Sequence, residues 1–139
     1  MKLVLDADVL IGALDGSDAR HSRARALFTA WHKQGTTPLI SIVNLSEVLI
    51  APAADKQRLR RAREAIAALG VAIHRPSEAI GIDAARLRCV HPISLPDAYC
   101  LATARQVGAS VASFDQKIIR AARAERIRLA ATPGLETPS

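Results

Sequence analysis

What most constrains the fold of this chain is a set of apolar runs too short to be helices, separated by stretches long enough to be them. Leu3-Val4-Leu5, Pro38-Leu39-Ile40, Val71-Ala72-Ile73 and the segment Ala109 to Ser113 each read as a buried strand. Between them the apolar residues recur at helical spacing. Asp8 is the expected N-cap of a short helix through Val9, Leu10, Ile11 and Leu14, and a longer helix is expected from Ala19 to Gln34, stopped by Gly35. Helices are also expected over Asn44 to Ile50, Asp55 to Leu69 and from Pro76-Ser77 to Val90. Ser94-Leu95-Pro96-Asp97 carries the serine, first-turn proline and third-position acid of a helix start, and that helix runs to Gly108. Asp115 opens a last helix to Arg123, and Ile127-Arg128-Leu129 is a marginal fifth strand. Strands alternating with helices imply an α/β fold: a parallel sheet of four to five short strands with helices on both faces.

Four carboxylates stand at the edges of these segments: Asp6 after the first strand, Glu47 in Asn44-Leu45-Ser46-Glu47, Asp97 at a helix start, and Asp115 after the fourth strand. In parallel sheets the ligand crevice lies outside the carboxyl ends of the strands, which is where Asp6 and Asp115 fall. Each acid also has a structural explanation. Asp97 and Asp115 suit helix caps and Glu47 suits an exposed helix surface, whereas Asp8 leaves Asp6 free of a capping duty. Convergence of all four would create a site needing a cation, and hard oxygen ligands favour Mg²⁺ or Mn²⁺.

The charge balance adds a partner. The chain of 139 residues has a formal net charge of +6 and a pI near 10.1, so an acidic pocket in a basic protein points to phosphodiester chemistry on nucleic acid. Only Phe28, Trp31, Tyr99 and Phe114 are aromatic, which argues against base stacking as the main grip. Arginines cluster at Arg20, Arg23 and Arg25, at Arg58, Arg60, Arg61 and Arg63, and at Arg120, Arg123, Arg126 and Arg128; most are expected to be solvated and some to meet phosphates. Cys89 and Cys100 are read as half-buried thiols, and His21, His32, His74 and His91 as surface or loop residues. With no leader and no bilayer-length apolar run expected, a cytoplasmic protein follows. One domain over residues 1–131 with a flexible tail at 132–139 is the expected organisation.

Taken in order, Leu3-Val4-Leu5-Asp6-Ala7-Asp8, Asn44-Leu45-Ser46-Glu47-Val48-Leu49, Leu95-Pro96-Asp97-Ala98-Tyr99-Cys100-Leu101 and Ser113-Phe114-Asp115 resemble the motifs of PIN-domain ribonucleases, especially VapC-type toxins. The resemblance implies a PIN-like three-layer sandwich. It also implies an Mg²⁺- or Mn²⁺-dependent endoribonuclease, usually a homodimer, neutralised by a cognate antitoxin. Asp6, Glu47, Asp97 and Asp115 match its four acids. Position 8 departs from the pattern: Asp stands where Ser, Asn or Thr is commoner, which adds negative charge. Ser113 replaces a commoner Thr and keeps the hydroxyl. The alternative reading is a non-catalytic protein of the same fold that binds an antitoxin or regulates. A DNA-directed nuclease would need duplex-gripping elements for which the chain is short, and a phosphatase would need a nucleophilic Asp in a different local motif. The dimer interface is expected either on the face around Leu27, Phe28 and Trp31 or along Ile42 to Ile50.

Overall fold

A computed structural model of the chain describes residues 2–130. The order of elements is β1 (Lys2–Leu5), α1 (Ala7–Leu14), α2 (His21–Gln34), β2 (Thr37–Ser41), α3 (Ile42–Leu49), a 3₁₀ turn (Pro52–Ala54), α4 (Lys56–Ala68), β3 (Ala72–His74), α5 (Glu78–Val90), α6 (Leu95–Val107), β4 (Ser110–Ala112) and α7 (Gln116–Ala124). The four strands lie in the order β3-β2-β1-β4, all parallel. β1 therefore occupies an inner position, and its carboxyl end is flanked by those of β2 and β4.

Alternation of side chains along each strand divides the core in two. Val4, Leu39 and Val111 face Ile80, Leu87, Leu101 and Ile118 of α5, α6 and α7. Leu3, Leu5 and Ile40 face Leu10, Leu27, Trp31, Leu45 and Ile66 of the first four helices. Leu5, Leu10, Leu87 and Leu101 are wholly shielded from solvent, and each such burial contributes about 1.5–3 kcal/mol. The result is the expected three-layer α/β sandwich.

Local chemistry explains most boundaries. Asp55 and Ser77 cap α4 and α5 through their side chains, and α6 begins in a complete capping box between Ser94 and Asp97. Gly35 and Gly108 end α2 and α6 in the left-handed region, at φ 68° and 69°, where a Cβ would be strained.

Several expectations are corrected. The fifth strand is a single parallel bridge between Val111 and Leu129, because only Val111 N–H to Arg128 O and Ala130 N–H to Val111 O join the segments. The second helix starts at His21 rather than Ala19, since Asp18 folds back to bond the Arg20 N–H and holds the chain in a turn. Leu27, Phe28 and Trp31 form interior packing, with Phe28 and Trp31 edge to face at 5.0 Å, so this face is core and not a free surface. The two thiols differ: Cys89 is exposed and Cys100 fully buried. Of the histidines read as surface or loop residues, His91 does lie in the loop after α5, whereas His21 opens α2 and His74 lies in β3, both partly buried. His91 Nε2 lies 2.6 Å from Glu125, His21 Nδ1 donates to the Gly12 carbonyl at 2.8 Å, and His74 Nδ1 is buried. His32 is exposed as expected. The expected tail at 132–139 lies outside the described residues.

Candidate active site

Each acid is delivered by a different element to the carboxyl edge of the sheet. Asp6 immediately follows β1 and caps α1, its Oδ1 accepting the Ala7 N–H at 2.7 Å. It is 4% exposed, and its Oδ2 accepts the Ser113 hydroxyl at 2.6 Å. That hydroxyl oxygen in turn accepts the Asp115 N–H at 3.0 Å, so one serine ties the end of β1 to the loop after β4. Asp115 caps α7, accepting from the Lys117 N–H at 2.8 Å. Asp97 is held by its capping box, with Oδ2 3.2 Å from the Ser94 N–H. Glu47 projects from α3, half-buried, with Oε1 accepting from Asn44 Nδ2 at 3.3 Å. The same amide donates to the Pro96 carbonyl at 3.0 Å and so fastens α3 to the start of α6.

Asp8 is the residue that sequence reasoning placed wrongly. It does not cap α1, because Asp6 stands one residue before the helix in extended conformation and Asp8 lies within the first turn. Its Oδ2 accepts the Phe114 N–H at 3.0 Å and faces Arg20 Nη1 at 3.7 Å. Its Oδ1 is buried with no hydrogen-bond partner among the described residues. Arg20 and Arg23 both lie over the Phe114 ring, at 5.0 and 5.3 Å from its centroid. Asn44 and Ser113 are the other unforeseen members of the site as orienting groups. The sequence signal for Asn44 was a polar residue in the otherwise apolar run Ile42-Val43-Asn44-Leu45, and it is wholly buried. For Ser113 the sequence offers only a hydroxyl two residues before Asp115.

Electrostatics show that these carboxylates feel one another. Burial, then Asp8 and Asp97, push the Asp6 carboxyl well above the ordinary range, against the opposing bond from Ser113. Burial chiefly raises Asp8 to about 6, with Asp115 adding to the rise and Phe114 N–H and Arg20 resisting it. Glu47 is raised by burial and by Asp97, against Asn44. Beneath them the Cys100 thiol, 3.7 Å from the Leu5 carbonyl, is pushed up by burial first and then by Asp6, Asp97, Asp8 and Glu47. The structure thus brings the four sequence-selected acids to one edge and adds Asp8 as a fifth.

The donor set would suit a hard divalent cation: the candidate groups are all carboxylates, one oxygen of Asp8 lacks any donor, and their charges are mutually unfavourable without a counter-ion. Among the described residues, no three His, Cys, Asp or Glu side chains are already drawn close enough to enclose an ion.

Comparison with known proteins gives a consistent result. The family description PIN domain matches residues 3–124. No curated protein matches the sequence. Among solved structures, the chain is similar to Mycobacterium tuberculosis VapC20, described as a Sarcin-Ricin loop cleaving toxin, with 20% identity over 86% of this chain and 94% of that one, at a TM-score of 0.70. A toxin–antitoxin complex from Klebsiella pneumoniae matches at 24% identity over 99% and 98% of the two chains, with a TM-score of 0.70. VapBC2 from Rickettsia felis, bound to a DNA fragment from its promoter, matches at 15% identity over 94% and 98%, with a TM-score of 0.73. At these identities the solved structures speak to the shared fold.

Proposed function

Since this chain belongs to the PIN-domain family, we propose that it is a metal-dependent endoribonuclease, the toxin of a toxin–antitoxin pair that a cognate antitoxin neutralises. The observation that carries this reading is the meeting of Asp6, Asp8, Glu47, Asp97 and Asp115 at the carboxyl edge of the sheet, with Asp6 and Asp8 raised by burial and by neighbouring acids. Crowding of this kind costs folding stability and makes chemical sense as a place for a cation. Similar solved structures described as a cleaving toxin and as toxin–antitoxin complexes support the biological half. A purely antitoxin-binding or regulatory module of the same fold leaves the buried carboxylates without a purpose.

In this mechanism Asp6, Asp97 and Asp115 would hold Mg²⁺ or Mn²⁺, and Glu47 would position the ion or its water. When bound, the ion polarises the scissile phosphate and makes water more acidic. The protein's own part is orientation. Ser113 directs Asp6 and the Asp115 backbone together, Asn44 fixes Oε1 of Glu47, and the capping box fixes Asp97. Arg20 offsets the charge of Asp8 at the rim.

The working form is taken to be a cytoplasmic homodimer. No helix among the described residues is long and apolar enough to cross a membrane. Of the two candidate dimer faces, the one on α3 has solvent-facing apolar residues, with Ile42 41% and Ile50 72% exposed.

The test is cleavage of matched RNA and DNA oligonucleotides by purified protein, with Mn²⁺ or with chelator. The expected result is cuts in RNA only, and only with the ion. RNA left intact under all metal conditions overturns the enzyme, and equal cutting of DNA overturns the substrate class.

A further inference from the structure

A cleft of about 690 Å³ opens beside the acids, between α1, α3 and α4. Glu47 lies in its wall, so it is continuous with the candidate active site. Its lining includes the apolar Ile11, Leu14 and Val48, with Asp15 and Glu47 on the α1 and α3 sides and Arg58 and Arg61 on the α4 side. These two arginines are three residues apart on one helix and so share a face. Both are exposed, and neither forms a salt bridge with an acid among the described residues. Arg20, Arg86 and Arg105, by contrast, are all committed to carboxylates.

We propose that this cleft seats the nucleotide next to the scissile phosphate of a single-stranded RNA, with Arg58 and Arg61 gripping its phosphate and the apolar lining receiving its base. The inference rests on the ribonuclease reading and gives it a substrate path. Glu47, Arg58 and Arg61 line the same cleft, so an RNA strand held at the acids would run on towards the two guanidiniums. Guanidiniums without internal partners are free to bond phosphate oxygens in pairs. The apolar lining is aliphatic and contains no aromatic side chain, so the base is held by shape and apolar contact rather than by stacking. This predicts weak base preference at that position. The lining carries Asp15 and Glu47 as well as the two arginines, so the cleft is polarised rather than uniformly basic, and a phosphate fits its α4 side, where the guanidiniums have no acid paired to them.

The test is fluorescence anisotropy of a labelled 12-nucleotide single-stranded RNA in chelator, which separates binding from cleavage. Arg58→Gln/Arg61→Gln is compared with Lys2→Gln/Lys33→Gln, which removes the same charge from exposed positions at the opposite, amino-terminal edge of the sheet. The cleft variant is expected to bind about tenfold more weakly and to flatten the slope of log K against log salt by roughly 1 to 1.5. The control is expected to stay within about twofold of wild type. Arg58→Lys/Arg61→Lys should recover part of the affinity and most of the salt slope, and thermal melts check that every variant is folded. Wild-type binding by the cleft variant overturns the proposal and leaves the cleft to a protein segment. Equal losses in the cleft and control variants also overturn it, because net charge alone then explains binding. Failure of the ribonuclease reading shows separately, as wild-type protein that never cuts RNA in Mn²⁺, and the anisotropy comparison is still decisive for the arginine pair.

Discussion

At the scale of single residues, the site trades stability for chemistry. Asp6 is almost wholly buried and its ionised form is disfavoured by burial and by two other acids. Asn at this position has the same shape: its Oδ1 can still accept the Ala7 N–H, and its Nδ2 can donate to the Ser113 oxygen in place of accepting from the hydroxyl. Asp6→Asn is therefore expected to abolish RNA cleavage while raising the melting temperature of the metal-free protein by about 2–5 °C. Asp97→Asn is expected to abolish cleavage with little change in melting, and full activity in either variant rejects the role given to that acid. Asp8 supplies the pH dependence. Its folded pKa of about 6 lies above the ordinary carboxylate value, so between roughly pH 6 and pH 4 the folded chain holds more protons than the unfolded one. Stability of the metal-free protein should accordingly rise as pH falls from 7.5 to 5, by on the order of 1–3 kcal/mol. Denaturant unfolding at the two pH values measures this. Asp8→Asn should remove much of the difference, and a flat wild-type profile contradicts the buried, cation-free arrangement.

At the scale of elements, Glu125 shows how the helices on one face are held. It accepts from Arg86 at 2.6 Å and Arg105 at 2.8 Å and meets His91 at 2.6 Å, so the turn after α7 is bound to α5, to α6 and to the loop between them. Arg86, His91 and Arg105 draw its pKa down to about 2. The depressed value means that its stabilisation is present above the usual carboxylate range and is lost as pH falls towards 2, a window separate from that of Asp8. Arg86 is 50% exposed and Arg105 37%, so solvent screening discounts both pairs. Glu125→Ala is expected to cost about 1–2 kcal/mol in denaturant unfolding at pH 7 and to leave the metal-supported cleavage rate within about twofold. Most of these elements could be read from the chain. Apolar runs and cap chemistry gave four strands and the helices to within a few residues, and the α6 capping box was explicit in Ser94 and Asp97. The marginal fifth strand misled because Ile127 and Leu129 alternate like a strand, although only Leu129 pairs. The α1 cap misled because two acids stood two residues apart, and which of them caps the helix depends on where the backbone turns from strand to helix rather than on spacing.

At the scale of the whole molecule, Asp6 and Asp115 could be read as strand-end acids because a parallel sheet gathers its strand ends at one edge, whereas Glu47 and Asp97, on helices α3 and α6, were singled out mainly by the resemblance. The orienting groups could not be read in either way. Ser113 reaches Asp6 across 107 residues of sequence and Asn44 reaches Pro96 across 52, and periodicity carries no information about contacts of that range. The arrangement makes a global prediction about the ion. Because a divalent cation offsets charge that is buried only in the folded chain, saturating Mn²⁺ should raise the melting temperature, and Asp6→Asn/Asp97→Asn should lose that rise. An equal rise in the double variant places the ion elsewhere.

The position of Cys100 has a practical consequence. Its sulfur is sealed under the strand ends, while Cys89 lies in solvent, so a thiol reagent meets one reactive group at once and the other only after the molecule opens. With Cys89 replaced by serine, the labelling rate of the remaining thiol becomes a clock for how often the roof of carboxylates lifts. Manganese should slow that clock.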